Sequence, residues 1–87
     1  MAFVFDPDKD DANLATHGLS LARASDFQIE AFVIDDRKDY GETRFRAFGL
    51  LDDQPSCLVF TMRADDVRVI SLRRAHAKEY RRHVAQT

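Results

Sequence analysis

The chain has no tryptophan, one cysteine, two prolines and three glycines among its 87 residues. One cysteine, Cys57, excludes an internal disulfide and any Cys-rich zinc site. The glycines are Gly18, Gly41 and Gly49, too far apart for a loop that cradles phosphate. No apolar run approaches the roughly 20 residues that span a bilayer. The opening "MAFVFDPDKDD" lacks a basic flank and turns acidic at once, so it does not read as a signal peptide. A reducing cytoplasm is the expected compartment. There is no repeat, no low-complexity tract and no linker, and the length suits one domain over residues 1–87.

What is present is charge, unevenly spread. Net charge is −2. Residues 1–42 carry four Lys/Arg against ten Asp/Glu, whereas residues 63–87 carry seven against three. Such polarity can set a local positive field on an acidic protein. It fits equally well with two ends that neutralise each other across the fold.

The element signals are local. Phe3-Val4-Phe5 reads as a short strand. Asp6-Pro7 reads as an N-cap with proline at the first helical position, and Asp8, Asp10 and Asp11 suit the positive end of that helix. The helix should end near His17, where Gly18 supplies a left-handed stop. Ser20 caps a second short helix with Leu21, Ala24 and Phe27 on one face. Ile29–Asp35, Thr43–Leu51, Ser56–Arg63 and Val67–Arg73 read as strands, the last three joined by hairpins. A last helix is expected from Arg74 to about Ala85, with Ala77, Tyr80 and Val84 as its apolar seam. The order β-α-α-β-β-β-β-α predicts an α+β fold, with helices on one face of an antiparallel sheet. Strict alternation puts Val67, Val69, Ser71 and Arg73 on one side of the last strand, and Cys57, Val59, Thr61 and Arg63 on one side of its neighbour.

Candidate chemistry rests on few residues. Lys9, Asn13 and His17, spaced by four, form a polar stripe on the first helix; a solvated face is its plainer reading. Glu79 and His83 are spaced for a carboxylate to orient an imidazole, or for an ordinary surface pair. His17, His76 and His83 do not form H-E-x-x-H, so metal catalysis is not expected. Arginine stands out: Arg44, Arg46, Arg63, Arg68, Arg73, Arg74, Arg81 and Arg82. Guanidinium forks match phosphate and can stabilise charge developing at phosphorus.

Three ordered blocks then resemble the BrnT family of bacterial type II toxins: "FVFDPDKDDANLATHGLSLARASDF", "DDRKDYGETRFRAFGLLD" and "LVFTMRADDVRVISLRRAHAKE". They match the family's Asp, Lys, Asn and His-Gly, then Gly-Glu-x-Arg, then Thr-x-Arg, Arg-x-Ile-Ser-x-Arg-x-Ala and Glu. The resemblance implies a RelE-like ribonuclease fold with two N-terminal helices and one C-terminal helix. It implies a metal-independent endoribonuclease that arrests growth, needs no cofactor and is neutralised by a BrnA-like antitoxin. Operator DNA would be reached only through the antitoxin, in a higher-order toxin–antitoxin complex, and no membrane is involved. On that reading Arg63, Arg73, Glu79, His17 and His83 are the catalytic candidates. Lys9, Asn13, Arg44, Arg68 and Arg74 are the RNA-binding candidates, and the antitoxin is expected near the last helix. The chain departs from the family at Phe5, usually Trp, and at Thr16, usually Lys. It departs again around His83, where a Tyr is common and Tyr80 stands three residues earlier. The last two departures fit an alternative, a non-catalytic homologue that acts as an antitoxin-binding co-repressor. A third reading is a plain interaction domain whose basic helix docks on an acidic partner.

Overall fold

The computed structural model describes residues 2–84. Helix α1 (Pro7–His17) begins where Asp6 accepts the Asp8 N–H at 2.8 Å. Pro7, which has no N–H to lose, takes the first helical position. The helix stops at Gly18, whose φ of 72° suits a residue without Cβ. Ser20 caps the next segment, but Leu21–Asp26 is a 3₁₀ helix rather than an α-helix. One carboxylate of α1 fastens it: Asp10 accepts from the Ser20 hydroxyl at 3.0 Å and from the Leu21 N–H at 2.6 Å.

Strands β1 (Phe3–Val4), β2 (Gln28–Ile34), β3 (Phe45–Leu51), β4 (Gln54–Arg63) and β5 (Asp66–Arg74) form one sheet in the order β1-β5-β4-β3-β2. β2 to β5 make an antiparallel meander. β1 runs parallel to β5, with Phe3 opposite Val67 and Val4 opposite Arg68. The sheet is therefore mixed, not antiparallel as expected. Parallel neighbours need a long crossover, and here the rest of the sheet supplies it. The β3–β4 hairpin turns on Asp52 and Asp53, with φ of 55° and 60°, the signs of a type I′ turn.

Two bulges shape the faces. In β5, Ser71 pairs with Val59 and Val69 with Phe60, so Ile70 has no partner. The extra residue flips the alternation. Val69 and Leu72 both enter the core, and Arg73 stands on the opposite face from Val67 and Val69, not in phase with them. In β2, the register shifts between Ile29 and Ala31. There Gly49 of β3 lies so close that a Cβ would fall 1.9 Å from the Gln28 carbonyl oxygen.

The main core joins Leu19, Leu21, Ala24, Ala47, Leu51, Leu58, Val69 and Leu72 beneath α1 and the 3₁₀ helix. Helix α2 (Ala77–Val84) packs on the other face, over Phe48 and Cys57. The helices thus cover both faces rather than one. α2 starts at Ala77 because Arg74 is still paired in the sheet, opposite Ser56. The expected end at Ala85 lies outside the described residues. Toward β2 the core face is uncovered, leaving Phe32 62% and Ile34 61% exposed. Among the described residues no helix is long and apolar enough to cross a membrane.

A cationic cleft beneath the last helix

Arg73 projects from the end of β5 toward α2, where it meets Glu79. The pair is bidentate: the two Arg73 Nη atoms donate to Glu79 Oε1 at 2.9 Å and Oε2 at 3.0 Å. That geometry fixes the guanidinium plane. Arg73 holds the Glu79 carboxyl below the ordinary glutamate range. A carboxylate so engaged is a weak base, so Glu79 orients Arg73 rather than taking a proton. Arg73, His76, Lys78, Glu79 and Arg82 line an open cleft of about 640 Å³.

His83 lies one turn after Glu79. Its ring stacks on Phe48 with centroids 4.1 Å apart and planes 4° from parallel. Burial first, then the nearby Arg46 and Arg82 cations, push its pKa below the ordinary histidine value. It is therefore a neutral imidazole at physiological pH, able to accept a proton. Arg46 of β3 lies over the same Phe48 ring, its guanidinium carbon 5.8 Å from the centroid. Sequence reading counted Arg46 among the arginines without giving it a role; alternation with Phe48 on one strand face was the signal available. Cys57, opposite both Phe48 and Arg73 in the sheet, is buried, and burial pushes its thiol upward and keeps it inert.

Other candidates lie elsewhere. Arg63 pairs with Asp66 at the far end of β4, six residues beyond Cys57, which puts it roughly 20 Å from Arg73 along the strand. It is exposed and donates to Glu42 at 3.1 Å. Arg63 and Arg73 thus do not converge on one phosphate. Lys9, His17, Thr16 and Ser71 line a separate shallow groove of about 230 Å³ between α1 and β5, so His17 and His83 do not meet either. Arg44 lies over the Tyr40 ring at 4.2 Å and near Glu42 at 3.6 Å. Arg68 is half-buried opposite Thr61.

Two candidates are occupied by the fold. Asn13 is buried; its amide donates to the Leu19 and Leu72 carbonyls, both at 2.8 Å, and its oxygen accepts the Leu72 N–H at 3.2 Å. It completes the edge of β5 and has no group left for RNA. Arg74 donates to the Leu51 carbonyl at 2.6 Å, Ser56 Oγ at 3.1 Å and Asp52 at 3.3 Å. It clamps the β3–β4 turn, and Arg23 grips the same Asp52 at 2.6 Å.

This fold is shared with a solved bacterial ribonuclease toxin. The 1.1 Å crystal structure of the Brucella abortus ribonuclease toxin BrnT superposes with a TM-score of 0.68 at 24% identity, over 87% of this chain and 97% of that one. At that identity the likeness shows the fold. The family described as the ribonuclease toxin BrnT of type II toxin–antitoxin systems matches residues 5–79. The chain belongs to the BrnT toxin family. No curated protein matches it.

Proposed function

We propose that this chain is the toxin of a type II toxin–antitoxin pair and cleaves RNA in the cytoplasm without a metal, as one RelE-like domain over residues 1–87. The observation that carries this reading is Arg73, oriented by Glu79 in an open cationic cleft, with His83 one turn further along the same helix. Arg73 contacts the non-bridging oxygens of the scissile phosphate and stabilises the charge that grows there. His83 takes the 2′-hydroxyl proton as that oxygen attacks phosphorus. The bond from phosphorus to the 5′ oxygen breaks, and the proton is returned to that oxygen. The products are a 2′,3′-cyclic phosphate and a 5′-hydroxyl end. Lys78 and Arg82, on the cleft wall, add attraction for the backbone. Lys9 and Arg68 remain RNA contacts outside the cleft.

A BrnA-like antitoxin neutralises the chain, and the complex reaches operator DNA through the antitoxin. The apolar surface around Phe32 and Ile34 supports a protein partner. One observation favours the non-catalytic co-repressor instead: Glu79 already neutralises Arg73.

The test is cleavage of labelled single-stranded RNA in EDTA by the wild type, Arg73→Ala and Arg63→Ala. Wild type and Arg63→Ala are expected to cut. Arg73→Ala should lose roughly 100-fold or more, the usual worth of one transition-state donor. Intact RNA with a folded wild type overturns the nuclease reading and leaves the co-repressor.

A further inference from the structure

β2 is the last strand of the sheet, and among the described residues no strand lies beyond it. Its ladder with β3 decides which groups face the open side. The Asp35 N–H donates to the Arg44 carbonyl at 2.7 Å, next in register to the pair of Ile34 with Phe45. Hydrogen-bonded and non-hydrogen-bonded pairs alternate along an antiparallel ladder. Asp35, Val33 and Ala31 therefore bond to β3, while Ile34 and Phe32 turn their N–H and C=O groups outward. Phe32 and Ile34 are also the most exposed large apolar side chains among the described residues. Free backbone groups and free apolar surface thus coincide on two residues.

Edge strands are ordinarily guarded by a charge, a proline or a bulge. The register shift between Ile29 and Ala31 blunts the first half of β2. Ala31 to Ile34 has none of the three. The apolar surface continues from there across the sheet. Phe32 meets Phe45 edge-on with centroids 6.1 Å apart, Phe45 stacks on Phe60 at 5.3 Å, and Met62 is exposed two residues further on the same face. A second copy of this chain fits that surface poorly. A two-fold β2–β2 pair engages the seven residues of each strand, against about 20–30 a side in a stable interface. It also prolongs the sheet sideways, which leaves Phe45, Phe60 and Met62 bare. A different chain that pairs with the edge and then turns over the face covers both. An antitoxin is the partner that membership of a type II toxin family implies.

We propose that β2 is the antitoxin's docking strand. An extended antitoxin segment adds to the sheet alongside Ala31–Ile34 and exchanges backbone hydrogen bonds with Phe32 and Ile34. The residues that follow it lie over Phe45, Phe60 and Met62. The inference rests on the toxin–antitoxin reading and deepens it by naming the surface and the mode of pairing. The segment that fits has apolar side chains at alternate positions, on the α1 side of the sheet beside Phe32 and Ile34. Tyr80 of α2 hydrogen-bonds Glu30 of β2, so the docked strand runs beside the helix that carries Glu79 and His83.

The probe is the cognate antitoxin, co-expressed with the full chain and purified as the intact complex. Amide exchange is followed by NMR in the chain alone and in the complex. The Phe32 and Ile34 amides should exchange rapidly in the chain alone and at least tenfold more slowly in the complex. Affinity is measured for the wild type, Ile34→Thr and Ile34→Pro. Ile34→Thr keeps the outward N–H but loses apolar surface, and should weaken binding about tenfold. Ile34→Pro also removes the outward donor while sparing the bonds to β3, and should weaken binding about 100-fold. Wild-type affinity in both variants, or unprotected Phe32 and Ile34 amides in the complex, overturns the docking strand and leaves the toxin–antitoxin reading intact. Protection of those amides in the chain alone, with a dimer mass by light scattering, overturns it in favour of a second copy. A wild type that binds no antitoxin overturns the toxin–antitoxin reading, and the docking strand with it.

Discussion

Replacing Asn13 by alanine removes a carboxamide that holds three backbone groups: the carbonyls of Leu19 and Leu72 and the N–H of Leu72. The side chain is 6% exposed, so water does not readily substitute. At a net ~1 kcal/mol per hydrogen bond, with a further penalty for each buried group left unpaired, the loss is about 3 kcal/mol. For a domain of this length that lowers the melting midpoint by roughly 15 °C. Thermal and urea melts read the stability; RNA cleavage per folded molecule reads the function. The expected outcome is a large loss of stability with unchanged cleavage by the folded fraction. Asn13→Asp sharpens the test. Its carboxylate would face two carbonyl oxygens, so the fold raises its pKa. The variant should be most stable below the ordinary aspartate pKa and weaken as pH rises. Wild-type melting of Asn13→Ala with weakened RNA binding would refute the structural role and make Asn13 a contact residue.

Two further outcomes follow from buried groups. Arg37 holds the Asp35 carboxyl down at about 2, from an ordinary 3.8. The stability this gives, about 2 kcal/mol, is fully present above pH 4 to 5 and is lost as pH falls toward 2. Asp35→Asn should flatten that part of a pH–stability curve, and an unchanged curve would refute the assignment. Gly49→Ala puts a methyl into the Gln28 carbonyl, a backbone clash that only strand separation relieves. A loss of about 3 kcal/mol or more is expected in a denaturant melt.

Local signals were legible where one residue type does one job. Asp6, Pro7, Gly18 and Ser20 mark their boundaries through chemistry confined to a few neighbouring residues. The strands of the meander declared themselves through apolar runs and short turns. The parallel docking of β1 was not legible, because nothing near Phe3 names Val67 as its partner. The bulge at Ile70 had no local mark either, and one extra residue moved Arg73 to the other face. Asn13 misled for a related reason. Lys9, Asn13 and His17 form a polar stripe by spacing, but Asn13 meets the open edge of β5 while Lys9 and His17 stay exposed. The Arg73–Glu79 pair is six residues apart and was within reach of sequence. The Phe48–His83 stack and the place of Arg46 beside it depend on how α2 crosses the sheet.

The parallel strand has a consequence for the order of assembly. Phe3 leaves the ribosome 64 residues ahead of Val67, the residue opposite it. The segment from β2 to β4 pairs neighbour with neighbour and can close while synthesis continues. β1 cannot join until β5 has emerged and paired with β4, and contacts so distant in sequence form slowly. The chain therefore spends that interval with β2 to β4 paired and a loose leading strand. Arg73 and Glu79, which face each other across the turn from β5 to α2, come together only at the end of it. The same connectivity that completes the sheet delays the cleft.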